Sequence, residues 1–120
     1  MSGLRVLVME DDALIGALLA EMLAEMGHDV CAIEATEADA VSAAARHKPD
    51  IMIVDARLRG GSGMSAVDAI LQIGYVPHFY VSGDTASVRA RKPRAVVVEK
   101  PFREAALADA ISRALAGPRI

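Results

Sequence analysis

The chain has 120 residues and a formal net charge of −3, which fits one compact domain and gives no electrostatic signal for nucleic-acid binding. Hydrophobic residues make up 53% but aromatic ones only 3%, so the core must be built from aliphatic side chains and alanines. The longest stretch without polar residues, Ala13–Ala20, is far shorter than the ~20 residues of a membrane-spanning helix. The single Cys31 cannot form an internal disulfide, and no signal-peptide pattern begins the chain. We therefore expect one cytoplasmic domain over residues 1–120, without membrane contact.

Five short apolar runs alternate with helical patterns along the chain. The third run, Ile51–Val54, is apolar throughout, which indicates a strand buried on both faces. Parallel strands that are covered by helices on both sides have this pattern. We therefore predict a (βα)₅ α/β fold, with a doubly wound, five-stranded parallel sheet. The predicted strands are Leu4–Met9, Asp29–Ile33, Ile51–Val54, Phe79–Val81 and Ala95–Val98.

The helices are predicted from apolar residues at three- and four-residue spacing and from their end signals. The first helix stops at Gly27, a residue suited to a left-handed turn. Thr36 is the predicted N-cap of the second helix, which closes before Pro49, and Gly117-Pro118 ends the last. The remaining predictions are a first stripe of Ile15, Leu18, Leu19, Met22, Leu23 and Met26, a last stripe of Leu107, Ala110, Ile111, Ala114 and Leu115, and shorter helices near Met64–Leu71 and Thr85–Arg91.

Polar residues follow the predicted strands at the points where the strands end. Glu10 and Asp11 follow the first strand, Asp55 the third, Ser82 the fourth and Lys100 the fifth. Open parallel sheets bind ligands beyond the carboxyl ends of their strands, so we expect these side chains to converge. Two carboxylates ~4 Å apart repel each other by roughly 4 kcal/mol at an effective dielectric constant of about 20. The predicted cluster therefore needs cations.

The residue types of this cluster favour phosphate chemistry. Oxygen ligands without a nearby His or Cys favour Mg²⁺ or Mn²⁺ over zinc, and Mg²⁺ on few carboxylates keeps waters that a phosphoryl group can displace. Lys100 supplies a second positive charge, suited to phosphate oxygens. Together with the Ser82 hydroxyl these groups form a receptor for a phosphoryl group, and Asp55 is placed as the nucleophile that accepts it.

Four segments, in this order and each after its own apolar strand, resemble the receiver domain of two-component response regulators. They are the acidic run Glu10-Asp11-Asp12, the isolated Asp55, Ser82-Gly83 and Lys100-Pro101. The resemblance covers essentially the whole chain. It implies a flavodoxin-like, CheY-like sheet with the strand order 2-1-3-4-5.

The resemblance also implies a role for each matching residue. Asp55 would accept the phosphoryl group, Asp11 would bind Mg²⁺ directly and Glu10 through water, and the main-chain carbonyl of Arg57 would be a further protein ligand of the metal. The peptide bond before Pro101 would be cis. The remaining assignments are Lys100 as the phosphate-binding lysine and Ser82 as the switch hydroxyl.

The sequence departs from the common receiver pattern at the place of the aromatic switch. Receivers usually carry an aromatic residue three positions before the lysine, where this chain has Val97. A subgroup of single-domain regulators also lacks this residue and carries a Phe-Ala-Thr-Gly-like motif, which Tyr80-Val81-Ser82-Gly83 resembles. The loop Arg59–Gly63, with Ala66-Val67-Asp68-Ala69 after it, is similar to the same subgroup.

The resemblance implies a signalling protein rather than an enzyme, one that promotes only its own phosphorylation and dephosphorylation. A histidine kinase or histidine phosphotransfer protein would be the phosphoryl donor, and an unidentified protein the downstream target. Because the sequence stops soon after the last predicted helix, we expect output by protein contact or phosphoryl relay. Two alternatives stay open: a receiver-like interaction module that works without phosphorylation, and a small aspartyl-phosphate phosphatase. Against the phosphatase, Arg57 stands where such enzymes place a second acid.

Several other polar residues have competing interpretations. Arg57 and Asp84 flank the predicted site and either form a solvated surface pair or tune the phosphoryl lifetime, and Tyr80 is a candidate switch residue. Asp12 is interpreted as a helix cap and Cys31 as a small buried hydrophobe. The rest are predicted to have surface or capping roles: His28, His47 and His78, and the basic run Arg89, Arg91, Lys92 and Arg94, for which an acidic partner is the alternative.

Overall fold

Parallel pairing joins five long strands into one sheet in the computed structural model, which describes residues 3–117. The sheet order is β2-β1-β3-β6-β7, and β4 and β5 form a separate two-stranded hairpin. The elements are β1 (Arg5–Met9), α1 (Ala13–Glu25), β2 (Asp29–Glu34), α2 (Glu37–His47), β3 (Ile51–Asp55), β4 (Arg57–Leu58), β5 (Gly61–Ser62), α3 (Gly63–Leu71), β6 (His78–Ser82), α4 (Thr85–Arg91), β7 (Val97–Glu99) and α5 (Glu104–Ala116).

The predicted (βα)₅ architecture is confirmed, and counting the five long strands alone gives the predicted order 2-1-3-4-5. The strand ends differ from the prediction. β3 includes Asp55 and β6 includes Ser82, because both residues continue the parallel ladder with their neighbours. The last strand begins at Val97 rather than Ala95 and runs on to Glu99. The candidate site residues Asp55 and Ser82 are therefore terminal strand residues, held by the ladder itself.

Two hydrophobic cores lie on opposite faces of the sheet, because successive strand residues point to opposite sides. On one face, side chains such as Leu7, Val54 and Tyr80 pack against α2, α3 and α4. On the other, side chains such as Val8 and Phe79 pack against α1 and α5. The three central strands are buried on both faces, as predicted from their apolar runs.

The edge strand β2 is only half-buried. Cys31 lies on this strand and is half-buried rather than fully buried as predicted, since only one side of an edge strand has a partner. Its sulfur donates a hydrogen bond to the main-chain oxygen of Val6, at 3.3 Å. The residue still packs against the core, so its apolar role is retained.

Helix ends follow the predicted signals. Asp12 accepts hydrogen bonds from the amides of Leu14 and Ile15, and Thr36 accepts one from Asp39 at 3.1 Å. Gly27 has a φ of 90°, the left-handed conformation predicted after α1. The predicted Pro118 stop after α5 lies outside the described residues.

Two residues of the predicted helix stripes are not in the core. The Leu18 residue of α1 is 50% exposed and Leu115 of α5 is 44% exposed. The stripe of α1 is narrower than predicted, because Gly16, Leu19 and Leu23 carry the contact with the sheet. Within residues 3–117, no helix has the length and apolar character needed to cross a membrane.

The predicted Arg59–Gly63 loop is a short hairpin followed directly by α3. Gly60 in its turn and Gly61 at the start of β5 have φ values of 66° and 148°, which favour glycine. Gly63 lies so close to β3 that an added Cβ would clash with the main-chain oxygen of Asp55. The hairpin is anchored from α2, since Glu37 accepts a hydrogen bond from the amide of Ser62 at 3.1 Å.

Candidate phosphoryl-acceptor site

Three carboxylates meet at the carboxyl end of the sheet. Glu10, Asp11 and Asp55 each offer one oxygen, and these oxygens lie within 4.8 Å of one another. Glu10 and Asp55 are buried, whereas Asp11 is half-exposed. The convergence follows from the topology, because β1 and β3 are adjacent parallel strands that end at the same edge. The sequence-based expectation of an acidic cluster at this edge is met.

Lys100 lies inside this cluster. Its ammonium is 2.7 Å from Oδ2 of Asp55 and 3.0 Å from Oε1 of Glu10. The peptide bond between Lys100 and Pro101 is cis, as the resemblance to receiver domains implies. Lys100 therefore donates charge-assisted hydrogen bonds to two buried carboxylates at once. Such bonds stabilise a carboxylate more than hydrogen bonds from neutral donors do.

Main-chain amides hold the remaining oxygens of the two buried acids. Oε2 of Glu10 accepts a hydrogen bond from the amide of Asp12 at 3.1 Å, and Oδ1 of Asp55 accepts one from the amide of Arg57 at 3.0 Å. Each carboxylate therefore has one oxygen bound to the backbone and the other to Lys100. Both side chains are fixed in orientation toward the centre of the cluster.

Burial and neighbouring charged groups shift the pKa values of Glu10 and Lys100 in this cluster. Burial raises the pKa of Glu10, and Asp55 adds to this effect, while the Asp12 amide and Lys100 oppose it. Burial favours the neutral form of Lys100, but its hydrogen bonds to Asp55 and Glu10 outweigh that effect and raise its pKa. The site thus favours the charged form of Lys100 but disfavours the charged form of Glu10, which a further cation would stabilise.

Ser82 ends β6, and Asp84 is the N-cap of α4. The hydroxyl of Ser82 accepts a hydrogen bond from the amide of Asp84 at 2.9 Å, and its main-chain oxygen accepts one from the amide of Lys100 at 2.9 Å. Asp84 caps α4 through Ser87, and these hydrogen bonds lower its pKa. Ser82 is therefore joined to the lysine through the backbone, and Asp84 has a structural role as a cap.

The family follows from a match over most of the chain. A family model described as the response regulator receiver domain matches residues 6–112. The chain belongs to this family. This receiver domain is 31% identical to the phyllosphere-induced regulator PhyR of Methylorubrum extorquens, over 92% of this chain and 43% of the relative. It is 34% identical to the transcriptional regulatory protein PdtaR of Mycobacterium tuberculosis, over 92% of this chain and 56% of the relative.

Solved structures show the same relationship. The receiver domain of PhyR from Erythrobacter litoralis superposes with a TM-score of 0.88 at 31% identity, covering 100% of this chain and 98% of that one. The anti-anti-sigma factor PhyR from Bartonella quintana gives a TM-score of 0.85 at 28% identity, covering 96% of this chain and 48% of that one. This receiver domain spans about half the length of the curated relatives that it matches.

The candidate switch residue Tyr80 is not part of the acidic cluster. Its side chain is fully buried on the sheet face that packs against α2, α3 and α4. Val97, which stands in place of the usual aromatic residue, pairs directly with Tyr80 across β6 and β7. The aromatic side chain of this region of the receiver domain is thus on β6, in the core, rather than on β7.

The histidines lie away from the acids, as predicted, but their surroundings differ. The ring of His28 accepts a hydrogen bond from the amide of Leu4 at 3.1 Å. His78 is buried, which corrects the expectation of a surface role, and its Nδ1 donates to the main-chain oxygen of Val76 at 2.8 Å. The correction has a simple cause: His78 is the first residue of the central strand β6 rather than a residue before it.

The basic run after Val88 is largely solvated, as predicted. Arg89, Arg91 and Arg94 are exposed. Lys92 differs, because its ammonium lies 2.6 Å from a carboxylate oxygen of Asp68 on α3. This ion pair joins the end of α4 to α3.

Sequence reasoning missed Arg59, which approaches the site from the hairpin. Its guanidinium donates to the main-chain oxygen of Asp11 at 3.5 Å, and its amide donates to the main-chain oxygen of Ala35. The two residues Arg59 and Asp11 are 48 positions apart, and no local pattern marks the contact. The antiparallel pairing of Arg57 with Ser62 places Arg59 in the turn of the hairpin, and no signal in the sequence marks its contact with Asp11.

Proposed function

We propose that this receiver domain accepts a phosphoryl group on Asp55 in a Mg²⁺-dependent reaction and signals by the resulting change of conformation. The contact of Lys100 with both Asp55 and Glu10, inside the cluster of three carboxylates, is the observation that carries the proposal. A purely structural ion pair with Lys100 needs only one carboxylate. The further carboxylates at the same place add electrostatic repulsion and do not stabilise the fold.

The proposed chemistry begins with a carboxylate oxygen of Asp55 as the nucleophile. It forms a bond to the phosphorus of a phosphohistidine, and the bond between phosphorus and the histidine nitrogen breaks, with the electron pair leaving on that nitrogen. The product is an aspartyl phosphate. The Arg57 amide and Lys100 hold the two oxygens of Asp55 in place, and the ammonium of Lys100 lies where it can pair with a phosphoryl oxygen.

The acidic residues fit a divalent cation with oxygen ligands. Three carboxylates and one ammonium leave a formal charge of −2, which Mg²⁺ or Mn²⁺ would neutralise. Asp11 and Asp55 would hold the ion directly, Glu10 through water, and the main-chain carbonyl of Arg57 would be a further ligand. When bound, the ion supplies positive charge to the carboxylates and to the phosphoryl oxygens.

The proposed switch involves Ser82 and the start of α4. The Ser82 hydroxyl accepts a hydrogen bond from the Asp84 amide and has its own proton to donate, and a phosphoryl oxygen on Asp55 would attract that donor and draw Ser82 toward it. Movement of Ser82 would shift the cap of α4 that Asp84 forms. Since β7 carries Val97 instead of an aromatic residue, the readout would come from β6 and α4. We also propose that Arg57 and Asp84 tune the lifetime of the phosphoryl group on Asp55.

An apolar surface next to the site supports docking of a protein phosphodonor. Leu14 and Leu18 of α1 are 83% and 50% exposed, and Leu18 lines a cavity with Lys100 and Phe102. Exposed apolar patches of this kind mark protein contacts. A histidine kinase or histidine phosphotransfer protein in the cytoplasm would cover this surface while presenting its phosphohistidine to Asp55. The signal would then pass by contact with a target protein or by phosphoryl relay.

The decisive experiment is labelling with acetyl phosphate and Mg²⁺, followed by intact-protein mass measurement. We expect the wild-type protein to gain the mass of one phosphoryl group, and Asp55→Asn to gain none. Asp109→Asn is the matched control, because Asp109 is an exposed carboxylate on α5 with only a loose ion pair to Arg113. Labelling that is lost in the control, or kept in Asp55→Asn, would contradict the assignment.

The second candidate is a receiver-like interaction module that works without phosphorylation, and Val97 favours it because the usual aromatic switch is missing. Absence of the adduct at saturating acetyl phosphate would leave this module as the better proposal. A phosphatase remains the weakest candidate, since Arg57 replaces the second acid that such enzymes use. Turnover of a phosphoester by the wild-type protein would revive it.

A further inference from the structure

A separate cavity lies at the opposite end of β6 from Ser82. It has a volume of about 160 Å³ and opens between α3, the end of α4 and the chain that leads into β7. Val67 and Leu71 of α3 form one wall, and Tyr80 and His78 of β6 form the floor. None of these residues belongs to the acidic cluster, so the cavity is separate from the candidate phosphoryl-acceptor site.

Tyr80 gives this cavity an unused hydrogen-bonding group. The residue is fully buried, and its hydroxyl has no hydrogen-bond partner among residues 3–117. Buried hydroxyls nearly always have a partner, and leaving one unpaired is costly. The hydroxyl lies close enough to Asp68 and Arg91 for both charges to affect its pKa, which burial raises. Tyr80 is therefore a neutral donor without a partner, in a side chain that lines the cavity.

The rim is more positive than the rest of the protein. Arg91, Lys92 and Arg94 line it, in a chain whose net charge is −3. Lys92 is neutralised by Asp68, its partner at 2.6 Å. Within the part of the chain that the structure describes, neither arginine has an ion-pair partner. The lining thus combines two arginines with a buried hydroxyl donor, a combination that attracts an anionic oxygen.

The volume sets the size of the ligand. A cavity of roughly 150 Å³ holds one benzene molecule, whereas drug-sized ligands need about 300 Å³ or more. The walls are apolar, and the floor is aromatic, since the ring of His78 packs edge-on against Tyr80 at 5.7 Å. A single ring or one long side chain fits these dimensions.

We propose that this cavity binds a carboxylate-bearing group of about the size of one aromatic ring, whose carboxylate accepts a hydrogen bond from Tyr80 and pairs with Arg91. The apolar body of the group packs between Val67 and Leu71. The same chemistry is present in a free aromatic acid and in a glutamate of an acidic partner segment. The proposal does not depend on phosphorylation of Asp55.

The test is an NMR titration of the ¹⁵N-labelled full chain with two probes, benzoate and the peptide acetyl-Ala-Glu-Phe-Glu-Ala-amide. Their neutral counterparts, benzamide and the peptide with glutamine for glutamate, are the ligand controls. We expect millimolar binding of at least one acid, with shifts at the amides around Tyr80 and Arg91. Benzoate as the better ligand indicates a free acid, and the peptide as the better ligand indicates a partner segment.

Variants connect the binding to the named residues. Tyr80→Phe keeps the ring and should weaken binding about tenfold or more, and Arg91→Gln should do the same. Arg89→Gln is the matched control, because Arg89 is an exposed arginine on the same helix that does not line the cavity. Asp55→Asn should bind as the wild type does. In the absence of ligand, Tyr80→Phe should raise the melting temperature by about 3 °C or more, since it removes an unpaired buried hydroxyl.

Four results would overturn the proposal, the last of them a comparison of two arginine variants. The first is an absence of shifts with both acids at tens of millimolar. The second is equal binding of the acids and their neutral counterparts. The third is unchanged affinity in Tyr80→Phe, whose melting temperature reports that the fold is intact. Binding that disappears equally in Arg89→Gln and Arg91→Gln would show general charge attraction rather than this site.

Discussion

The ammonium of Lys100 lies 2.7 Å from a carboxylate oxygen of Asp55, although the two residues are 45 positions apart in the chain. The contact exists because β3 and β7 end at the same edge of the sheet with β6 between them. The second contact of Lys100, with Glu10, extends the arrangement to β1. One cation therefore connects the carboxyl ends of three strands, and we expect its removal to destabilise the contacts among all three.

Lys100→Met should lower the free energy of unfolding at pH ~7 by about 2–3 kcal/mol, because it leaves two buried carboxylates without their cation. The control is Lys92→Met, which breaks an equally short but more exposed ion pair with Asp68 and should cost about 1 kcal/mol or less. Urea denaturation of both variants, without Mg²⁺, gives the comparison. Equal losses in the two variants would show that burial of Glu10 and Asp55 adds nothing to the pair.

Asp11→Asn should reduce the stabilisation of the fold by Mg²⁺, because Asp11 is the half-exposed member of the carboxylate cluster. A ligand that binds only the folded state raises the melting temperature with concentration, so the Mg²⁺-induced shift measures binding. Asp12→Asn is the control, since Asp12 caps α1 and asparagine caps equally well. A full Mg²⁺ shift in Asp11→Asn would exclude Asp11 as a ligand.

Much of the candidate site could be predicted from the sequence because its residues lie at the ends of apolar strands. Glu10, Asp11, Asp55 and Lys100 needed only the expectation of a parallel sheet to be placed together. The helix caps Asp12 and Thr36 were also predictable, since their partners are two or three residues away. Local patterns therefore identified both the frame of the fold and the cluster that it assembles.

The missed features depend on contacts that no local pattern encodes. Arg59 reaches Asp11 only because a hairpin of two-residue strands folds back over β3, and such short strands have no periodicity to read. Leu18 has the spacing of a core residue, but the side chains of Leu19 and Leu23 fill the contact between α1 and the sheet. The burial of His78 depends on where β6 begins, and strand ends are the least certain part of a sequence-based prediction.

Gly63→Ala should destabilise the fold by about 1–3 kcal/mol, because the new Cβ would clash with the main-chain oxygen of Asp55. The movement needed to relieve the clash would shift the nucleophile, so labelling by acetyl phosphate should also slow down. Gly74→Ala is the control, as a Cβ at Gly74 meets no atom within 4 Å. Its expected effect is within about 0.5 kcal/mol. A stable Gly63→Ala protein with normal labelling would show that the start of α3 can move freely relative to β3.

His78 should make the fold less stable in mild acid. Burial lowers its pKa from 6.5, with the charge of Lys92 acting in the same direction, while the Val76 carbonyl and Asp68 oppose this. In the window between the lowered pKa and about 6.5, the unfolded chain binds the proton and the folded protein does not. The stability from the neutral ring is therefore complete above that window and decreases as the pH falls through it.

His78→Gln should flatten this pH dependence, because glutamine keeps an amide donor for the Val76 carbonyl but does not titrate. Urea denaturation between about pH 7.5 and pH 5 measures the slope of the unfolding free energy for each protein. His47→Gln is the control, since it removes a half-buried histidine at the end of α2, outside both cores. The same slope in His78→Gln and the wild type would mean that the buried ring takes up its proton without loss of stability, and the acid sensitivity would then have to arise from the carboxylates.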